Sequence, residues 1–426
     1  MRFSELSQQT RKLAKLALVS ALSVAVLAGC ESNDENEATR IAELEPINIK
    51  RHVEVEWREQ AGDGVDNYFS NLTPVIAGDV IYAASRDGEV FAYNKLTGDE
   101  IWSTDTRDNP PSLWTTITLE NVPGNKLSGG ITAAYNNLYI GSENGFVIAL
   151  SQETGDVLWR QNVRGEVVAA PAYGEGWIAV TTTAGVVTML HPDTGEVRWE
   201  VETDVPALSL RGTSSPSVAN GGVLVGTATG KVTVIIAEQG IAAWDAEVAT
   251  VDGATELERL VDADSQPIIV GPDVYAIAYN GNLAAIDYRT GRIKWKREYS
   301  SYRNLSYESG TLYLTNDKGY VSAINASAGS ELWSNTDFYN RRLTQPVVYK
   351  DTIVVGDFEG YFHFLDKQTG EVVSRYKLDD IDYSAYHWFV SWFTSEDRRA
   401  YAAPVVDGEL LYVQTRDGEL TALRLP

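Results

Sequence analysis

Cysteine is almost absent from this chain of 426 residues, which contains one Cys, two Met and four His. A single Cys excludes a disulfide within the chain and a cage of Cys ligands around a metal ion. Basic residues are also scarce, since 35 Lys and Arg face 59 Asp and Glu, for a net charge of -24. Nucleic-acid-binding proteins carry a basic surface, so this charge argues against a nucleic-acid partner.

Long apolar runs are missing as well. The longest near the N-terminus, residues 16–28, has thirteen residues, which is too short for a membrane span and typical of a signal-peptide core. Basic residues precede it, and Leu27-Ala28-Gly29-Cys30 ends it. This ending resembles the lipobox of bacterial lipoproteins, which implies a signal peptide over residues 1–29 and acylation of Cys30. The alternative is an ordinary secretory signal with an incidental Cys.

The polar segment 30–50 is rich in acidic residues and predicts a flexible tether between Cys30 and the folded domain. Since the protein is acidic, acyl chains and not a basic patch would hold it at the membrane. Glu31 is not the Asp that typically retains such lipoproteins in the inner membrane. We therefore expect the outer membrane, on its periplasmic face.

A repeat dominates residues 51–426. Seven glycines begin the same pattern, and each is followed ten residues later by another glycine. The first set is Gly88, Gly145, Gly185, Gly230, Gly281, Gly319 and Gly360. A Trp lies fourteen residues after the first six of these, while Ser374 takes that position in the seventh. Such regular spacing predicts a stack of equivalent units.

Each unit contains four short stretches rich in Val, Ile and Tyr, separated by turn pairs such as Asp87-Gly88 and Thr97-Gly98. Eight such units predict an all-β fold, an eight-bladed β-propeller of four-stranded antiparallel blades. The last unit is short, so we expect the N-terminal stretch around Trp57 to supply its outer strand and close the ring. The repeated Trp is expected to pack between neighbouring blades.

The repeat resembles that of quinoprotein dehydrogenases, which use pyrroloquinoline quinone (PQQ). The whole chain is more similar to the BamB family, propeller lipoproteins of the outer-membrane β-barrel assembly (BAM) machinery. Three segments outside the repeat carry this resemblance: residues 67–72, residues 208–212, and residues 253–264. It implies a non-enzymatic scaffold that binds the periplasmic domains of BamA and the other BAM lipoproteins. Unfolded outer-membrane proteins are a further class of partner.

Long connections between blades are expected on one face, where binding residues commonly lie. By resemblance, Leu208 and Leu210 would be apolar anchors for BamA. Arg211 would donate to a carboxylate or to carbonyls, with Asp262 or Asp264 orienting it. The alternative is structural: both leucines point inward, and Arg211 pairs with Asp264 only to brace two loops.

No pattern of catalytic residues is evident, and neither a cofactor nor a metal ion is expected. The histidines are scattered, and no calcium loop, nucleophile elbow or phosphate-binding loop occurs. Two alternatives remain at this stage: a propeller that binds carbohydrate or cell-wall material, and a relative of the PQQ-dependent dehydrogenases. An aromatic segment, Tyr383–Phe393, is expected to plug one end of the propeller, and the alternatives are a second docking patch or a membrane-surface contact.

Overall fold

The computed structural model describes residues 40–65, 67–68, 70–107, 124–209, 212–250, 255, 260–378 and 399–426. The chain divides into two units, residues 1–41 and residues 42–426. The second unit contains every strand of the described chain. Within the described part, no helix has the length and hydropathy needed to cross a membrane.

Strands β1 to β33 form eight sheets, each a blade of the propeller. The strands of blades one and two are β3 (Val75–Ala77), β4 (Val80–Ala84), β5 (Glu89–Asn94), β6 (Glu100–Asp105), β7 (Leu127–Ala134), β8 (Asn137–Ser142), β9 (Phe146–Ser151) and β10 (Val157–Asn162). Those of blades three and four are β11 (Ala172–Gly174), β12 (Trp177–Thr181), β13 (Val186–Leu190), β14 (Val197–Glu202), β15 (Ser217–Ala219), β16 (Gly222–Gly226), β17 (Lys231–Ile236) and β18 (Ile241–Glu247).

Blades five and six comprise β19 (Ile268–Val270), β20 (Asp273–Ile277), β21 (Asn282–Asp287), β22 (Ile293–Glu298), β23 (Ser306–Glu308), β24 (Thr311–Thr315), β25 (Val321–Asn325) and β26 (Glu331–Asn335). Blades seven and eight comprise β27 (Val347–Tyr349), β28 (Thr352–Gly356), β29 (Tyr361–Asp366), β30 (Val372–Lys377), β31 (Val405–Asp407), β32 (Leu410–Gln414), β33 (Glu419–Arg424) and β1 (Glu54–Gln60). The predicted eight-bladed, all-β architecture is confirmed.

The two middle strands of a blade are its core. In blade one, β4 and β5 are mostly buried, whereas the outer strand β6 is exposed or half-buried. Middle strands lie between the neighbouring blades and are covered on both faces, which explains why their sequences are apolar runs and not simple alternations. The outer strands alternate, because only one of their faces meets another blade.

Blade eight is closed by the two ends of the repeat region. Strand β1 pairs antiparallel with β33, from Glu54 opposite Arg424 to Gln60 opposite Glu419. Trp57 thus lies in the position that the repeat assigns to Trp, as the sequence predicted. Closure by pairing removes the open sheet edges that a linear array of blades would leave at its ends.

Blade two departs from the four-stranded rule. A two-residue strand, β2 (Asn71–Leu72), adds to it in parallel beside β7, and the Asn71 side-chain amide donates to the Val168 carbonyl oxygen at 2.9 Å. Residues 71–72 precede the first strand of blade one, so they link blades that are neighbours in the ring. A strand of two residues has no periodicity, which is why the sequence did not reveal it.

Each repeated Trp joins its blade to the next one. The Trp199 indole N–H donates to the Ala237 carbonyl oxygen at 2.9 Å, and the ring lies against Gly240. The same contact is made by seven Trp and Gly pairs: Trp57 with Gly98, Trp102 with Gly155, Trp159 with Gly195, Trp199 with Gly240, Trp244 with Gly291, Trp295 with Gly329, and Trp333 with Gly370. The prediction that these rings pack between blades is confirmed.

The interface between blades seven and eight has a different construction. Ser374 replaces Trp there, and its hydroxyl donates to the Arg51 carbonyl oxygen at 2.7 Å. Lys350 donates to the Leu425 carbonyl oxygen at 2.8 Å, and Tyr349 donates through its hydroxyl to Glu409. The outer strand of blade eight is β1, which comes from the start of the repeat region, so no tight turn like the one that carries Gly370 joins it to β33.

Replacing Gly240 by Ala tests the contact between Trp and Gly. A Cβ at residue 240 would lie 2.8 Å from Trp199 Cγ, so the blades must separate. Gly271→Ala is the control, because Gly271 also has a positive φ (56°) but open space around it. We expect Gly240→Ala to lower the free energy of unfolding in urea by about 1–3 kcal/mol more than the control does. Equal losses would show that the backbone conformation alone requires glycine.

Candidate functional site

One face of the propeller carries the connections between blades. In a four-stranded meander, the turn from the second to the third strand lies at the same end as the connection to the next blade. We call this end the connection face. Loop 3–4 (residues 203–216) joins β14 to β15 on this face, and loop 4–5 (residues 248–267) joins β18 to β19. The sequence-predicted partner-binding residues lie in these two loops.

The two loops touch each other. The Ser214 hydroxyl of loop 3–4 donates to the Ser265 carbonyl oxygen of loop 4–5 at 3.0 Å. Gly212 approaches the Asp264 carboxylate so closely that a Cβ there would overlap an Asp264 oxygen. Blade three supports the pair, because the Thr181 hydroxyl donates to the Ser214 carbonyl oxygen at 2.6 Å. Loops 3–4 and 4–5 therefore form one surface.

Backbone pairing fixes loop 4–5 in place. Asp262 forms an isolated antiparallel bridge with Tyr279, whose N–H donates to the Asp262 carbonyl oxygen at 2.7 Å. The Ala263 N–H donates to the Thr227 carbonyl oxygen at 3.2 Å. Tyr279 and Thr227 follow the second strands of blades five and four, so two neighbouring blades hold the segment that carries both aspartates.

Asp262, which is buried, and Asp264, which is half-buried, form a carboxyl pair. Asp262 is only 2% exposed, and its Oδ2 has no hydrogen-bond partner among the described residues. Burial raises the pKa of the Asp262 carboxyl well above its usual range, and the charge of Asp264 raises it further. Burial also raises the pKa of Asp264. The pair therefore keeps a proton at a pH where two solvated carboxyl groups would both be ionised.

Loop 3–4 also carries exposed apolar side chains. Leu208 is 49% exposed, and Val205 in the same loop is 39% exposed. A cavity of about 30 Å³, the size of one water molecule, is lined by both aspartates together with Ser209 and Thr213, among others. The surface thus combines exposed apolar groups with charge that lacks a counter-ion among the described residues.

The predicted residues divide into two groups. Leu208, Asp262 and Asp264 are described: Leu208 is an exposed residue of loop 3–4, and both aspartates lie in loop 4–5 and line one cavity. Leu210, Arg211 and the lipidation residue Cys30 lie outside the described residues, as does the aromatic segment 383–393. The roles assigned to all of them remain predictions.

The sequence did not identify the residues that position the pair. Tyr279 and Thr227 act through backbone groups, which leave no side-chain signature. Gly212 and Gly226 were the available signal: a Cβ at Gly226 would overlap the Ala263 carbonyl oxygen. Neither glycine belongs to the repeat pattern, so each indicates a close approach of another chain segment. Among the described residues, no group of three or more His, Cys, Asp or Glu side chains is arranged to hold a metal ion.

Comparison with known proteins agrees with the resemblance in the sequence. The family described as "Outer membrane protein assembly factor BamB" matches residues 42–112, 106–335 and 317–425. The chain belongs to the BamB family. The identification made from the lipobox, the repeat and the three segments outside the repeat is therefore confirmed.

Curated BamB proteins match the chain over nearly its full length. The protein named outer membrane protein assembly factor BamB of Shewanella oneidensis is 38% identical over 97% of this chain and 99% of its own length. Its Escherichia coli counterpart is 36% identical over 97% of this chain and 99% of its own length.

Solved structures show the same architecture. The crystal structure of BamB from Moraxella catarrhalis aligns with a TM-score of 0.72 and 25% identity, covering 88% of this chain and 100% of that chain. A quinohemoprotein alcohol dehydrogenase from Pseudomonas putida aligns with a TM-score of 0.63 and 14% identity, covering 88% of this chain and 76% of its own. The second likeness is one of fold.

The carboxyl pair makes stability depend on pH in a testable way. Because folding raises the pKa of Asp262, the folded protein holds a proton that the unfolded chain releases above the ordinary value of 3.8. The stability that this proton contributes is present below that pH and is lost as pH rises. We expect Asp262→Asn to be more stable than the unchanged protein at pH 8, with a smaller difference at pH 5, in urea unfolding.

The control is Asp204→Asn, an exposed acid in loop 3–4. Its effect on the free energy of unfolding should not vary over this range of pH. A pH dependence of the same size in both variants would contradict a buried, proton-holding pair at Asp262 and Asp264.

Proposed function

We propose that this protein is a non-enzymatic scaffold lipoprotein of the machinery that assembles outer-membrane β-barrel proteins. In this proposal it binds the periplasmic domains of BamA and so aids folding and insertion of barrel proteins. Family membership supports the assembly role, since the relatives are named outer membrane protein assembly factors. The observation that carries the binding role is the contact between loops 3–4 and 4–5, with exposed Leu208 and Val205 in one loop and Asp262 and Asp264 in the other, where Val205 and both aspartates line one cavity.

The chemistry of this surface favours a protein partner. Covering an exposed leucine such as Leu208 with a partner lowers the free energy of the complex. Little conformational entropy is lost on binding, because loop 3–4 is already braced. Leu208 and Leu210 are the proposed apolar anchors.

Arg211 is the proposed charged group, either pairing with Asp262 or Asp264 or donating to BamA. A guanidinium that reaches the carboxyl pair would favour its ionised form, which burial otherwise disfavours. Docking and ionisation of the pair would then reinforce each other.

The lipid anchor is the second part of the proposal. Acylated Cys30 would hold the protein at the periplasmic face of the outer membrane, with the segment after it as the link. In that position the propeller would meet BamA and the other BAM lipoproteins. Unfolded outer-membrane proteins are proposed as transient partners. Chemistry on a cofactor has no part in this function.

A double substitution in loop 3–4 tests the binding role. Leu210→Ala with Arg211→Ala should abolish co-purification of BamA from detergent-solubilised outer membranes, because an apolar anchor and the guanidinium are removed together. Leu332→Ala is the matched control, since Leu332 is 55% exposed on the outer strand of blade six, away from loops 3–4 and 4–5. Mass spectrometry of the eluate gives the result.

Undiminished BamA in the double variant would refute the proposed contact. Recovery of cell-wall fragments in place of BamA, from the unchanged protein, would favour the carbohydrate-binding alternative. Thermal unfolding of each variant should be measured alongside, so that loss of the fold is not mistaken for loss of the contact.

Replacing Cys30 by Ser tests the anchor. Without a thiol no acyl chain can be attached, and an acidic protein has no electrostatic attraction to anionic lipid. We expect the variant to move from the membrane pellet to the soluble periplasmic fraction. Ser32→Ala, two residues further on, should leave the distribution unchanged. A Cys30→Ser protein that stays in the outer-membrane fraction at the unchanged level would contradict lipid anchoring.

A further inference from the structure

The segment before β1 is held against blade seven. Residues 42–51 belong to the compact unit of the propeller, although the sequence assigned residues 42–50 to the tether. The Ala42 N–H donates to the Tyr339 carbonyl oxygen at 2.9 Å, and the Lys50 N–H donates to the Val373 carbonyl oxygen of β30 at 2.9 Å. Both ends of the segment are thus fixed by backbone hydrogen bonds.

An apolar contact also holds the segment. Leu44 packs against the cluster of buried side chains between blades six and seven, which includes Phe338, Leu343 and Val355. Its neighbours Glu43 and Glu45 are exposed. This alternation is the pattern of an extended chain with one face against the protein. We call residues 42–51 the strap.

Buried charge in blade seven contacts the strap backbone. Arg341, Asp357 and His363 are at most 2% exposed. Arg341 Nε donates to Asp357 Oδ2 at 2.7 Å, and His363 Nε2 lies 2.9 Å from the same oxygen. Arg375 Nε donates to His363 Nδ1 at 3.2 Å, which requires a neutral imidazole.

Both arginines of this cluster reach the strap. Arg341 Nη1 donates to the Ala42 carbonyl oxygen at 2.9 Å, and Arg375 Nη1 donates to the Glu45 carbonyl oxygen at 3.0 Å. Burying charges is costly unless each is paired and hydrogen-bonded. The Asp357 carboxylate pairs with the positive charge of Arg341. The strap carbonyl oxygens accept hydrogen bonds from the two arginines that water would otherwise accept.

The repeat itself is altered where the strap passes. Ser374, at the position of the repeated Trp, donates to the Arg51 carbonyl oxygen at 2.7 Å. The strap therefore meets blade seven through backbone carbonyls at residues 42, 45 and 51, each with a side-chain donor. Contacts to carbonyls depend on an extended backbone more than on particular side chains, as in peptide-binding grooves.

We propose that the groove formed by Arg341, Arg375, Ser374 and the apolar cluster under Leu44 is a binding site for an extended peptide, and that its occupant is the chain's own strap. The strap makes the chain leave the propeller at Ala42, beside Tyr339 on the connection face. Docking also shortens the segment proposed as the tether. Ala42 is twelve positions after Cys30 and Arg51 is twenty-one positions after it. The maximum distance between Cys30 and the point where the chain joins the propeller therefore falls from about 70 Å to about 40 Å, at ~3.4 Å per residue.

Limited trypsin digestion of the full-length protein in detergent tests the groove, because Lys50 and Arg51 are cleavage sites within the strap. We expect Leu44→Asp to speed cleavage after Lys50 and Arg51 by about tenfold or more, since removal of the apolar anchor raises the population of the undocked strap. Ile49→Asp is the matched control: it adds the same charge at a strap residue that is 41% exposed, and should leave the rate unchanged.

A second variant separates the arginine contact from the apolar one. Arg375→Met should also speed cleavage, whereas Arg292→Met, at an exposed residue of blade five, should not. Thermal unfolding reports whether each variant keeps the propeller. Equal rates for Leu44→Asp and Ile49→Asp in folded proteins would overturn the proposal, as would rapid cleavage of the unchanged strap. The reach of the tether depends on the proposed anchor at Cys30, but the digestion does not, so the two can fail separately.

Discussion

An indole lying on a glycine turn of the next blade is the contact on which this ring depends. Glycine is required because a Cβ would meet the ring, as at Gly240 beneath Trp199. The indole N–H also donates to a carbonyl oxygen of the neighbouring blade, so each contact fixes both distance and orientation. Because seven interfaces use this contact, the geometry of the blades depends little on the loops. The loops of the connection face can therefore differ in length and composition.

That contact also explains how far the sequence predicted the fold. The spacing of Gly and Trp follows directly from the contact between blades. The number of blades, the strand order and closure through Trp57 could therefore all be predicted from the sequence. Strand β2 and the strap were not, because both are short and are held by contacts with distant parts of the chain, such as Asn71 with the Val168 carbonyl oxygen and Arg341 with the Ala42 carbonyl oxygen. Ser374 was visible as an exception to the repeat, but its meaning required knowing that Arg51 passes beside it.

The candidate site was predictable in a different manner. Nothing in the repeat indicates loops 3–4 and 4–5; similarity to a family did. The structure adds how Asp262 and Asp264 are held together, since backbone pairing with Tyr279 and Thr227 buries Asp262 and leaves Asp264 half-buried beside it. Their burial opposes stability at neutral pH, and natural proteins retain such costs mainly where function needs them. The strap cluster has a different character, because the Arg341 charge is paired with Asp357, and Arg341 and Arg375 each donate to a strap carbonyl oxygen.

Closure of blade eight has a consequence for how the molecule is made. Glu54 pairs with Arg424, 370 positions further along the chain, so this blade needs both ends of the repeat region at once. Apart from the two-residue strand β2 in blade two, the preceding blades are built from consecutive residues and can form in the order in which the chain is made. The ring cannot. Until the last strands arrive, β1 has no partner and the array of blades has two open edges. Pairing of β1 with β33 is therefore the step that converts an open array of blades into a closed ring.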